Sequence, residues 1–148
     1  MTTRVRRLRD PLAVGVAALL ASAYVAVVDP NQPGHYPLCP TKAFTGLDCP
    51  GCGGLRAVHD LLHGDLVGAL DHNAFAVLVL LPGAAVFLVR WAVTAWRAGG
   101  PDGEGAPVPA PVPRPTVLWS VLALAVVFTL VRNVSAVPDL AWLGSSTS

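Results

Sequence analysis

Apolar residues in this chain gather into three long runs, at 12–28, 74–93 and 117–131, separated by polar segments rich in turn residues. A helix of roughly 20 apolar residues crosses a hydrocarbon core of about 30 Å. The middle run has that length. The outer two fall a little short, a mismatch that local thinning and flanking side chains accommodate. Nowhere does the polar–apolar alternation of a half-buried strand dominate. The pattern predicts an all-α integral membrane protein with about three transmembrane helices in a single membrane domain over 1–148.

The segments between the runs differ in kind. Residues 1–10 form a basic tail. The first extramembrane loop, 29–73, opens irregularly, with Asp29-Pro30, Asn31, Pro33-Gly34, Pro37 and Pro40. From Gly53 the pattern turns helical, with Leu55, Val58 and Leu62 on one face. Gly64 is a natural stop, and Asp65 can cap a second helix carrying Leu66, Val67, Ala69 and Leu70. Two short amphipathic helices are therefore expected in this loop, lying on the membrane or against the spans. Pro82-Gly83 should kink the second span. The linker 98–116 contains Pro107-Val108-Pro109-Ala110-Pro111-Val112-Pro113 and predicts an extended polyproline spacer. Residues 132–148 form a tail.

Composition agrees with a bilayer setting: 53% of the 148 residues are hydrophobic and 13% are charged. The net charge of +1 gives no reason to expect a nucleic-acid partner. Its distribution is more useful. Arg4, Arg6, Arg7 and Arg9 precede the first run, and the segment between the second and third spans carries Arg90, Arg97 and Arg114. The loop between runs one and two holds only Lys42 and Arg56 against Asp29, Asp48, Asp60, Asp65 and Asp71. The positive-inside rule then puts the N-terminus in the cytoplasm, with the cysteine loop and the C-terminus outside the cell membrane. Trp91, Trp96 and Trp119 would flank the cytoplasmic interface, and Tyr36 and Trp142 the outer one. Ala21-Ser22-Ala23 also resembles a signal-peptide cleavage site, although the apolar run continues past it to Val28. Either alternative exports the loop.

Candidate chemistry is confined to the three cysteines, Cys39, Cys49 and Cys52. A Cys-x-x-Cys pair supports a redox disulfide, a metal knuckle or a structural bridge. In the redox alternative, a helix starting near Cys52 would lower its thiol pKa and place Arg56 on the same face, with Cys39 as internal exchange partner. His59 and His63 continue that face. In the metal alternative, Cys39, Cys49, Cys52 and His59 or His63 would hold zinc, although seven helical residues separate Cys52 from His59 by roughly 10 Å. In the structural alternative, Cys39 pairs with Cys49 or Cys52 and closes the loop. Without zinc, no cofactor is expected. The leading expectation is a non-enzymatic module whose loop forms a structural or partner-binding site. An enzyme, if it is one, would be a thiol-disulfide oxidoreductase. The partners expected are the bilayer and a membrane protein or a second copy.

Other polar residues have simpler expectations. Arg56 can pair with Asp60 across a helical turn. Asn73 and Asn133 can cap span ends. Arg132 can snorkel to headgroups or meet a loop carboxylate such as Asp48. No Ser-His-Asp order and no phosphate-binding glycine loop is present.

The stretch from Cys39-Pro40 through Thr45-Gly46-Leu47-Asp48-Cys49-Pro50-Gly51-Cys52-Gly53-Gly54-Leu55-Arg56 to His63-Gly64-Asp65 and Asn73, with the later Arg132-Asn133, resembles an uncharacterised family of small bacterial membrane proteins, a domain of unknown function. Leu55 stands where that family often has Thr, and Ala74 where it often has Pro. The resemblance implies an integral membrane protein and no assigned activity.

Overall fold

A computed structural model describes residues 3–32, 34–36, 39–98 and 108–133. The described residues form helices and connecting loops, with no strand among them. In chain order the helices are α1 (Thr3–Val27), α2 (Pro40–Thr45), α3 (Gly54–Leu62), α4 (Leu66–Phe75), α5 (Leu81–Arg97) and α6 (Pro115–Asn133). A π-helical segment, Ala76–Leu80, joins α4 to α5. Three stretches are long and apolar enough to cross a membrane: Arg6–Val27, Leu66–Arg97 and Pro115–Asn133. The chain is an all-α membrane protein. Trp142, the tail 134–148 and linker residues 99–107 lie outside the described residues.

The first helix starts earlier than its apolar run. Arginine is a good helix former, so α1 carries Arg6, Arg7 and Arg9 in its opening turns rather than in an extended tail. The second span is longer than predicted because α4 runs into it. The junction is a break at Asn73, whose backbone is extended (φ −162°, ψ 88°). The second of the two loop helices is thus the bent entrance of the span. Pro82 has no N–H to offer the carbonyl one turn back. The helical irregularity falls just upstream of it, where the Leu81 N–H bonds the Ala76 carbonyl across five residues. From Ala76 to Arg97 the rise is roughly 33 Å at 1.5 Å per residue, enough for the hydrocarbon core.

Packing runs up, down and up. α1 packs on α5 and α3, and α3 packs on α4. Arg7 Nη1 donates to the Ala98 carbonyl, so the start of α1 meets the end of α5. At the opposite end, His59 Nδ1 lies 2.8 Å from the Val25 carbonyl. Trp91 Nε1 donates to the Val108 carbonyl at 3.0 Å, which places Val108 beside α5. The arginines of α1, α5 and the linker therefore gather at one end, and the cysteine loop occupies the other. Trp96 and Trp119, both exposed, stand near the basic end as an aromatic belt would.

Little of the apolar surface is buried by protein. The core is Ala57, Ala69 and Val77, with Leu70 packed against it. Small side chains on α3 and α4 let the two backbones approach closely. Leu55 and Leu62, the predicted apolar face of α3, stay partly exposed. So do most apolar residues of the spans, as the lipid-facing side of a membrane helix should.

The α3–α4 turn follows the sequence expectation. Gly64 has φ +83°, and Asp65 Oδ1 accepts from Gly68 N at 2.8 Å. A Cβ on Gly68 would sit 2.5 Å from the Asp65 carboxylate. Asp65→Ala should lower the stability of the detergent-solubilised protein by about 1 kcal/mol, the usual worth of a lost N-cap. Thermal unfolding followed by far-ultraviolet circular dichroism checks it.

Candidate thiol site

Local turns bring the three cysteines together. Cys39 is the N-cap of α2, with Pro40 in the first turn. α2 ends at Gly46, which is left-handed (φ 73°) and donates its N–H to the Lys42 carbonyl. The chain then turns back through Leu47 and Asp48 into Cys49-Pro50-Gly51-Cys52. The Cys52 N–H donates to the Cys49 carbonyl at 3.0 Å. Cys49 Sγ lies 3.5 Å from Cys39 Sγ and 3.3 Å from Cys52 Sγ. All three sulfurs fall within 4.8 Å of one another. A disulfide needs about 2.05 Å, so all three cysteines are free thiols here.

The thiols have unequal surroundings. The Lys42 backbone N–H, and then the neighbouring thiols, pull Cys39 down to about 7. Burial pushes Cys52 up to about 12, with Cys49 and Cys39 adding to the rise. Cys52 is buried, while Cys39 and Cys49 are partly exposed.

The backbone of this loop is pinned by side chains from two spans. Arg132, near the end of α6, is buried. Its Nη1 donates to the Cys52 carbonyl at 3.0 Å and its Nη2 to the His72 carbonyl at 3.1 Å. Its Nε faces Asp48 Oδ2 at 3.7 Å. Asn133, next in the chain, clasps the Asp48 backbone from both sides. Its Oδ1 accepts from Asp48 N at 2.9 Å, and its Nδ2 donates to Asp48 O at 2.8 Å. Lys42 Nζ completes the group, 3.0 Å from Asp48 Oδ1. From the second span, Asn73 Nδ2 donates to the carbonyls of Pro50 (2.9 Å) and Cys52 (3.0 Å). Its Oδ1 accepts from Ala76 N at 2.8 Å, so one side chain serves both the loop and the break in the helix.

Gly53 makes this closeness possible. Its φ is +77°, and a Cβ there would lie 2.5 Å from the His72 carbonyl oxygen. α3 begins only after it, at Gly54.

Two expectations about neighbours change as a result. Cys52 precedes α3 rather than starting it, so the register linking it to Arg56 does not apply. Arg56 Nε instead reaches the Pro30 carbonyl at 3.4 Å, and Asp60 pairs with His72 at 3.3 Å rather than with Arg56. The histidines also point elsewhere. His59 Nδ1 engages the Val25 carbonyl and its Nε2 faces Asp29 at 3.8 Å. His63 Nδ1 lies 2.8 Å from the His59 carbonyl, with the two rings 4.3 Å apart. Among the described residues the sulfur cluster consists of Cys39, Cys49 and Cys52 without a histidine.

The sequence reading had Arg132 reaching Asp48 as one of two options, and Asn73 and Asn133 only as caps. It missed their role in holding the cysteine backbone. A basic or amide residue at the loop-facing end of an apolar span was the available signal, since such groups are costly there without partners.

A family model described as "Protein of unknown function (DUF2752)" matches residues 39–88. This segment is similar to that family. It spans roughly a third of the chain, including Cys39, Cys49, Cys52 and Asn73 and ending before Arg132. No curated protein matches the chain, and neither does any solved structure. The family carries no activity to transfer.

Replacing Arg132 with Met should remove one donor from each of the Cys52 and His72 carbonyls, leaving Cys52 held by Asn73 alone, and strip Asp48 of a buried counter-charge, at about 3 kcal/mol. Thermal unfolding measures the loss, and Cys52 should alkylate faster. Arg132→Lys should restore only part, because one ammonium lacks the planar fork that spans two carbonyls. Gly53→Ala should act on the same contact from the other side, moving the loop off His72. Limited proteolysis around residues 48–56 should then accelerate while the spans stay resistant.

Proposed function

We propose that this protein is a non-enzymatic membrane module whose first loop holds a preformed three-thiol site for a ligand or partner at one face of the bilayer. The convergence of Cys39, Cys49 and Cys52 within 4.8 Å carries this reading. Free thiols so close together, on a backbone fixed from the second and third spans, form one binding unit rather than three separate residues. The reach of Arg132, Asn133 and Asn73 into the loop supports it, because these buried polar contacts fix the backbone between the sulfurs. The gathering of arginines at the far end supports an orientation with the N-terminus in the cytoplasm and the thiol site outside.

One observation favours a second use of the same sulfurs. Cys49 stands within 3.5 Å of one neighbour and 3.3 Å of the other. A Cys39 thiolate attacking a Cys49–Cys52 disulfide would form Cys39–Cys49 and release the Cys52 thiolate, with no net oxidation. Burial of Cys52 opposes the charge so released, which favours the binding reading.

Two measurements test these readings. A dithiol-selective trivalent arsenical should bind the purified, reduced protein, Cys49→Ser should weaken that binding, and Cys49→Ser with Cys52→Ser should abolish it. Wild-type protein that ignores the arsenical would end the three-thiol reading. In intact cells, a membrane-impermeant maleimide should label the loop after mild reduction. Labelling only after lysis would reverse the orientation. Thiol trapping that finds Cys49 and Cys52 alternating between thiol and disulfide would replace binding with exchange.

A further inference from the structure

We infer that the three sulfurs bind one thiophilic divalent metal ion of the zinc class, with its fourth coordination position left open. The inference rests on the three-thiol reading above and names its ligand. Four ligands at about 2.3 Å around a tetrahedral ion place neighbouring sulfurs about 3.8 Å apart. The 3.5 and 3.3 Å separations from Cys49 need only a small outward shift to reach that spacing, and the remaining pair lies within 4.8 Å. A bonded pair would instead draw two sulfurs together to about 2.05 Å, a larger shift than metal binding needs. The cluster comes from two separate turns, with Cys39 on one and Cys49 and Cys52 on the other, so an ion would tie them together. The three sulfurs lie within 4.8 Å of one another, whereas His59 is engaged by the Val25 carbonyl at the end of α1 and His63 by the His59 carbonyl. The histidine ligand that zinc spacing suggested is not needed.

Charge selects the class of ion. Three thiolates around a divalent cation carry one net negative charge, and around a monovalent cation two. The charged side chains that hold the loop are Lys42, Asp48 and Arg132. Together they carry one net positive charge. A divalent ion therefore closes the local balance, and a monovalent ion leaves a buried excess negative charge that burial penalises. Thiolate sulfur selects soft and borderline ions over magnesium or calcium. Binding replaces each thiol proton by a metal–sulfur bond and releases it to solvent, without oxidation or reduction. A water or a ligand from a partner would fill the open position. Metal-bound sulfurs would in turn resist the disulfide formation that an outer location promotes.

Arg132 is a positioning residue for this site. It orients the Cys52 carbonyl and hence the Cys49–Cys52 turn, and it supplies the balancing charge without touching the ion.

The test uses the full-length protein in detergent, reduced and stripped of metal, titrated with Co2+ and then with Zn2+. Co2+ should bind at one equivalent per chain, with a near-ultraviolet sulfur-to-cobalt charge-transfer band and visible bands of a tetrahedral ion, and Zn2+ should displace it. Cys39→Ser, Cys49→Ser and Cys52→Ser should each reduce the charge-transfer band and the affinity. His59→Ala with His63→Ala should leave both unchanged. Arg132→Met should weaken Zn2+ binding by about 10–100-fold, the usual effect of losing an outer-sphere partner, while the cobalt band keeps its shape. The arsenical distinguishes the possible failures. Protein that binds the arsenical but takes up neither metal overturns the metal inference and leaves the three-thiol reading intact. Protein that binds neither loses both. Metal binding that disappears in the double histidine variant, with the arsenical still bound, overturns the all-cysteine ligand set.

Discussion

The arrangement of this protein hangs on one guanidinium. Arg132 is an ion at the end of an otherwise apolar helix, and such a group is tolerable there only when it is paired. Its two terminal nitrogens satisfy carbonyls on either side of Gly53, one from Cys52 and the other from His72. Its remaining face meets Asp48. A single side chain thus joins the third span, the cysteine turn and the entrance of the second span. Phe128, one turn back on α6, lies 5.6 Å beneath the guanidinium carbon and stacks on Phe75 at the same separation. The charge is therefore roofed by protein as well as hydrogen-bonded.

Much of the architecture was legible in the chain because apolar runs are a coarse, strong signal. The three spans, the Gly64 stop and the Asp65 cap follow from residue chemistry alone. The entrance to the second span did not, because the break at Asn73 is made by its side chain, which serves Pro50 and Cys52 and so draws the backbone out of the helix. The short α2 was hidden among prolines and glycines that read as irregular loop. At the site, the residue types pointed to the cysteines, and the helical register pointed the wrong way for their neighbours. A register argument holds only from where the helix begins, and Gly53 delays that start by two residues beyond Cys52. The partners that matter, Arg132 and Asn133, are about eighty positions away in sequence. No local pattern encodes a contact of that range.

The unequal treatment of the thiols follows from the same geometry. Pinning the Cys52 carbonyl from two sides pulls its side chain inward, where burial holds it protonated. Cys39 stands at the N-cap of α2 on the rim, where the nearby Lys42 backbone N–H lowers its pKa. The cluster therefore has a buried floor at Cys52 and a partly exposed rim at Cys39 and Cys49.

Because Arg132 lies eighty residues after Cys52, the loop emerges from the ribosome long before the residue that fastens it. The first two spans can enter the bilayer, and α3 can settle on α4, while the cysteine turn still lacks its clasp. Only arrival of α6 supplies Arg132 and Asn133 together, so the site is finished after the first two spans have been made. A chain truncated before α6 would reach the membrane with the thiol loop unfastened.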